Sequence, residues 1–179
     1  AEIINNGKPE ILLAVHDGIH YAEIPANPAK DKWNFVRAAV TNSDEGFAVT
    51  DLNGDGFNDI ICGDVKGGER EVATLLKCYI HPGDPSSDWQ SVLLGETDHA
   101  IDRLKAADFD GDGDVDIAIS EERFPGKEPD AKLYWFENNG GIESNWKRHV
   151  VITQYSMNNL DVQDIDKDGD IDMITNEHK

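Results

Sequence analysis

The apolar positions of this chain fall in short runs, and three of these runs directly follow the same kind of polar segment. Ile60-Ile61-Cys62, Ile117-Ala118-Ile119 and Met173-Ile174-Thr175 are rich in β-branched residues and too short for helices, so each predicts a strand. The segments before them, 51–59, 108–116 and 164–172, are dense in Asp and Gly, and their first residues lie 57 and 56 positions apart. Other runs keep that period. Residues 18–22, 76–80 and 133–136 predict a later strand, and Trp33, Trp89 and Trp146 each open another, over 33–36, 89–92 and 146–149. Loops rich in Pro, Gly, Asn and Asp separate these runs. No segment carries a convincing amphipathic helical pattern; 66–71 and 124–130 read as hairpin connections.

Each unit thus reads as strand, acidic loop, strand, longer loop, strand, loop and Trp-strand, four short strands in each period. Four antiparallel strands at this period predict an all-β partial propeller, because a twisted four-stranded blade buries its faces only against neighbours. The aromatic run Tyr134-Trp135-Phe136 would fill the layers between blades. The expected units are 1–45, 46–102, 103–158 and 159–179, with the first and last incomplete, in a single propeller segment spanning 1–179. That division gives thirteen strands. An open stack would expose unpaired edges and an apolar face, so further blades of a larger chain, or copies of this one, are expected to close the ring.

The acidic segments carry the chemistry. The first is Asp51-Leu52-Asn53-Gly54-Asp55-Gly56-Phe57-Asn58-Asp59; the others place Asp108, Asp110, Asp112, Asp114, Asp116 and Asp164, Asp166, Asp168, Asp170, Asp172 at positions 1, 3, 5, 7 and 9. Oxygen ligands at positions 1, 3 and 5 of a tight loop, with Gly at position 6, suit a hard cation that takes about 6–8 oxygens. Position 7, Phe57 in the first copy, would offer its backbone carbonyl, and position 9 would close the shell. No Cys or His lies within the loops, which disfavours zinc. Three calcium sites are expected. An EF-hand is excluded, because position 12 is Cys62, Ile119 and Thr175 where a bidentate Glu is required, and strand follows where helix should. Asp and Gly also dominate ordinary turns, but three copies in register holding 13 acids in 27 residues argue for a cation that relieves their repulsion. Residues 1–10 look like a strand stub and a fourth loop that has lost its ligands, with Glu2, Ile4 and Asn6 at positions 1, 3 and 5.

The formal charge of −20 falls to −8 once the loops are set aside, since they hold 13 of the 36 acids and one of the 16 bases. It disfavours nucleic acid, whose binders carry basic patches, and an anionic membrane surface. No apolar stretch approaches the ~20 residues that span a bilayer. Cys62 and Cys78 lie in consecutive expected strands, and either a cross-strand disulfide or two separate buried thiols fits. Glu121-Glu122 reads as a solvated charge pair.

The loop motif, together with Leu133-Tyr134-Trp135-Phe136-Glu137-Asn138 and Trp146-Lys147-Arg148-His149-Val150, resembles the FG-GAP/VCBS repeat family over nearly the whole chain. It is similar to the calcium-binding propeller blades of integrin α-subunits and of secreted bacterial proteins. The resemblance implies that each loop joins the first and second strands of a blade. It also implies a secreted or cell-surface module that binds a glycan or a protein, in adhesion or carbohydrate recognition. The alternative is a segment of a polysaccharide lyase or other carbohydrate-active enzyme, for which His99, Arg103, His149 and Tyr155 are the local candidates. None of these forms a recognisable catalytic pair in sequence, and His149, at the family's Trp-x-x-His position, is expected to pack.

Overall fold

A computed structural model describes residues 1–42, 45–65, 73–123, 129–143 and 146–178. Those residues form thirteen antiparallel strands in four sheets, with no helix among them. The first sheet holds β1 (Glu10–Val15), β2 (Gly18–Glu23) and β3 (Val36–Ala39). The second holds β4 (Phe47–Thr50), β5 (Asp59–Val65), β6 (Thr74–Ile80) and β7 (Gln90–Glu96). The third repeats that order with β8 (Ala100–Ala107), β9 (Asp116–Glu122), β10 (Ala131–Glu137) and β11 (Lys147–Gln154). The last holds β12 (Met157–Gln163) and β13 (Asp172–Glu177). In every sheet, strands adjacent in sequence are also neighbours in space.

The period-2 alternation of each strand sorts its residues into layers between sheets. On β5, Ile61 faces the third sheet while Ile60 and Cys62 face the first. On β9, Ile117 and Ile119 join the layer shared with the second sheet, and Ala118 faces β12 with Leu133, Met157 and Leu160. Tyr134 and Phe136 are fully buried in the middle layer, as the aromatic run predicts, whereas Trp135 points the other way and stacks on His149 at 4.5 Å. Gly95 makes room for Phe136: a Cβ there would meet the ring at 2.4 Å.

The Trp positions share one device. The indole N–H of Trp33 donates to the Pro28 carbonyl, that of Trp89 to Pro85 and that of Trp146 to Ile142, at 3.1–3.2 Å. Each ring thereby closes the loop before the outer strand. Strand pairing begins at Gln90 and Lys147, directly after Trp89 and Trp146, but only at Val36 after Trp33. The expected unit boundaries at 102 and 158 fall inside β8 and β12, which start at Ala100 and Met157, because no turn residue marks those starts. The 66–71 connection lies outside the described residues, as do residues 124–128 of the other.

Two expectations change, and for the cysteines one of the two open alternatives holds. Residues 1–9 form no strand, although the Glu10 N–H donates to the Ala1 carbonyl at 2.7 Å. Glu121 is not solvated; it is fully buried, and its carboxylate accepts the backbone N–H groups of Asp98, His99 and Lys132 at 2.8–2.9 Å. Cys62 and Cys78 are free thiols on opposite faces, since Cys62 pairs with Lys77 and Cys78 with Ile61. A one-residue offset in register reverses the face. Burial pushes the Cys62 thiol up to about 12 and raises Cys78 as well. Both should therefore resist maleimide in native buffer, and two should label per chain in denaturant without reductant; labelling that requires reductant would contradict this arrangement.

Candidate metal centre

Each acidic loop joins the first two strands of its sheet: 51–59 between β4 and β5, 108–116 between β8 and β9, and 164–172 between β12 and β13. The position-1 carboxylate organises the turn. Asp51 accepts N–H bonds from Gly54 and Gly56, Asp108 from Gly111 and Gly113, and Asp164 from Lys167 and Gly169, all at 2.7–3.2 Å. Positions 4 and 6 are both left-handed, with φ of 75° and 89° at Gly54 and Gly56 and of 64° and 103° at Lys167 and Gly169. Lys167 puts a side chain in that region, as does Asn5 at position 4 of the degenerate loop with φ of 53°, where L residues are strained by roughly 1–2 kcal/mol.

The remaining carboxylates follow the same rule in each copy. Position 3 accepts the N–H of position 5, through Asn53, Asp110 and Asp166. Position 5 accepts the N–H of position 7, so Asp55, Asp112 and Asp168 hold Phe57, Asp114 and Asp170. Position 9 reaches back to position 2: Asp59 to Leu52, Asp116 to Phe109 and Asp172 to Ile165, at 3.0–3.1 Å. Both oxygens of Asp51, Asp108 and Asp164 accept backbone N–H groups, as do both of Asp59 and Asp116, whereas Asp110, Asp112, Asp166 and Asp168 each turn one oxygen to the backbone.

The carboxylates that converge are those of positions 1, 3 and 9. One oxygen each from Asp108, Asp110 and Asp116 lies within 4.8 Å of the others, as for Asp164, Asp166 and Asp172. Asn53 puts an amide at position 3 of the first loop, so Asp51 and Asp59 are its acids at those positions. The side chains of Asp112, Asp114, Asp168 and Asp170 stand outside these groups. Asp59 and Asp116 are fully buried, and loss of water holds both carboxyls above the ordinary carboxylate range, against the pull of the His81 and Leu52 N–H groups on Asp59 and of Asn138 and Phe109 on Asp116. An oxygen-only donor set with buried acids and further acids beside them fits a hard divalent cation.

Two features escaped the sequence reading. His81 accepts no role from composition, yet its N–H donates to Asp59 Oδ1 at 2.9 Å, its ring stacks on Phe57 at 4.9 Å and its Nε2 lies 2.8 Å from the Ile3 carbonyl. Glu10 is the position-9 residue of the degenerate loop: its Oε2 accepts the position-2 N–H of Ile3 at 2.5 Å. Glu2 holds Gly7, and Asn6 holds Lys8, just as positions 1 and 5 do elsewhere. The skeleton of a fourth loop survives with Ile4 in place of the position-3 ligand. Counting eight residues on from Glu2 would have found Glu10.

The lyase candidates are each engaged locally. His99 lies 3.7 Å from Asp130, His149 bonds Glu137 at 2.5 Å, Arg103 bonds Asp102 at 2.7 Å, and the Tyr155 N–H reaches Glu177.

Repeated antiparallel sheets with an acidic loop between first and second strands define an all-β repeat protein. Residues 51–119 match the family model of the FG-GAP-like repeat, which assigns that stretch, containing the first two loops, to the FG-GAP-like repeat family. No curated protein sequence matches the chain.

Proposed function

We propose that the chain is a calcium-stiffened segment of a β-propeller, secreted or displayed at the cell surface, that binds a glycan or a protein. The observation that carries this reading is the threefold recurrence of one hydrogen-bonded acidic loop, with carboxylates of positions 1, 3 and 9 drawn together in two copies. Calcium would be held by Asp51, Asn53, Asp55 and Asp59, by Asp108, Asp110, Asp112 and Asp116, and by Asp164, Asp166, Asp168 and Asp172. The backbone carbonyls of Phe57, Asp114 and Asp170 would join them. The ion supplies rigidity and charge neutralisation; the chain's own residues set the loop's shape and present whatever surface the ligand meets. Low-millimolar calcium outside cells suits such sites.

Exposed apolar residues support assembly with further sheets. Ile11 and Leu13 on β1 are 44% and 46% exposed, on the side of the first sheet away from its core partners. Copies of this chain or further blades would cover them, and a compact 19.8 kDa monomer in sedimentation would rule out closure by self-assembly.

A cavity of about 420 Å³ beside Trp89 supports a sugar ligand, being lined by Arg37, Lys77, Tyr79, Ser86 and Ser91. Asp88 lines it as well, and Lys77 and Arg37 pair with Asp64 and Asp17, so two aromatic rings and hydroxyls rather than net positive charge suit a glycan. Binding to probes on a glycan array, abolished by EGTA and restored by calcium, is the expected result. Full binding in EGTA would separate ligand recognition from the loops and defeat this reading.

A further inference from the structure

The acidic loops occupy one end of each strand pair, and a second repeated polar position lies at the other. Six residues before the first Asp of each loop stand Glu45, Asp102 and Asn158. Asp102 and Asn158 take the same bulged position: the β8–β9 register shifts between Ile101 and Arg103, and the β12–β13 register between Met157 and Asn159. A bulge adds one residue to a strand and re-aims its side chain. One oxygen each of Glu45, Asp102 and Glu122 lies within 4.8 Å of the others. Glu45 precedes β4, whereas Asp102 and Glu122 belong to β8 and β9, so the group bridges two sheets. Gly46 allows that approach, since a Cβ there would meet the Asp102 carbonyl oxygen at 2.9 Å.

The Asp102 side chain is the second, independent pointer. It is 1% exposed, and its Oδ1 accepts from Arg103 Nη1 at 2.7 Å. Its Oδ2 is buried and meets no hydrogen-bond donor among the described residues. A buried acceptor left without a partner costs free energy that native structures avoid. Arg103 Nη1 also donates to Glu45 Oε2 at 3.2 Å and to the Asp102 carbonyl at 2.8 Å, which fixes the carboxylate in place.

We propose that Glu45, Asp102 and Glu122 hold a hard divalent cation of the calcium class, at the end of the strands away from the acidic loops, and that this ion ties the β4–β7 sheet to the β8–β11 sheet. Side chains from three strand ends of two sheets suit calcium, whose flexible shell takes about 6–8 oxygens, better than magnesium, which demands a near-ideal octahedron. Partly exposed Glu45 provides the route of entry, with a side chain 33% exposed. Arg103 is a positioning residue that holds Asp102 without touching the ion.

A shared proton is the competing occupant, because burial and then the Glu45 carboxyl push Asp102 up to about 7. Crystals of the full chain grown with Mn²⁺ at pH 8 distinguish the two. An anomalous peak among the three carboxylates is the expected result, with loss of that peak in Asp102→Asn and in Glu122→Gln and one fewer Mn²⁺ per chain by electron paramagnetic resonance. The loop peaks, being elsewhere, report separately on the loops. No peak at the cluster in saturating Mn²⁺, or a metal count unchanged in either variant, would overturn the proposal.

Discussion

Stripping calcium from the chain with EGTA is expected to lower its melting temperature by about 5–10 °C for each loop site emptied. The figure follows from linkage. A ligand present at about 100 times its dissociation constant adds about 2.7 kcal/mol to the folded state, and in a domain of about 150–250 residues each kcal/mol moves the midpoint by about 2–4 °C. The effect should be graded rather than all-or-none, because the loops are also held by their own hydrogen bonds. The degenerate loop shows this: Glu2, Asn6 and Glu10 keep the backbone shape with Ile4 where a ligand should stand. Stripped protein should therefore stay folded at room temperature and melt earlier. Calorimetric scans in EGTA and in millimolar calcium that superimpose would contradict the linkage.

Replacing Glu121 by Ala should cost about 4 kcal/mol. Its carboxylate satisfies three backbone donors, those of Asp98 and His99 in the turn before β8 and of Lys132 in β10, and it is fully buried. Removing it strands those donors, each worth about 1–3 kcal/mol when left unpaired in the interior. Glu121→Gln should lose less, since the amide oxygen still accepts while its NH₂ faces donors. Urea midpoints at unchanged slope measure both. A loss below about 1 kcal/mol for the Ala variant would show that water replaces the carboxylate. The same bond recurs where Asp64 accepts the Asn42 N–H and Glu177 the Tyr155 N–H, at 3.3 Å each, so in these three sheets an acid near the end of the second strand clamps the turn before the first.

What the sequence made legible was whatever depends on residues close together in the chain. The nine-residue loops, the β-branched runs after them and the Trp positions recur at one spacing. That spacing yields four strands in sequence order for each middle sheet. Loop geometry is local as well, which is why the carboxylates at positions 1, 3 and 9 could be expected to meet. What stayed hidden depends on how strands align. Cys62 and Cys78 fitted either facing partners or separate thiols, and a one-residue register places them on opposite faces. Glu121 looked like a surface charge because its donors come from positions 11 to 23 residues away. The bulge at Asp102 is likewise a property of the β8–β9 pairing, and no turn residue signals it. His81 illustrates the same limit, since it stacks on Phe57 and bonds a carbonyl at Ile3, far away in sequence.

The calcium assignment meets its most direct test in a calorimetric titration of the EGTA-stripped, dialysed chain with Ca²⁺, in parallel with Asp112→Ala. Binding at the three loops, with the heat of one site lost in Asp112→Ala and the others unchanged, is the expected result. No binding heat at millimolar calcium in the unsubstituted chain would contradict it, and the loops would then be turns held by their own carboxylates alone.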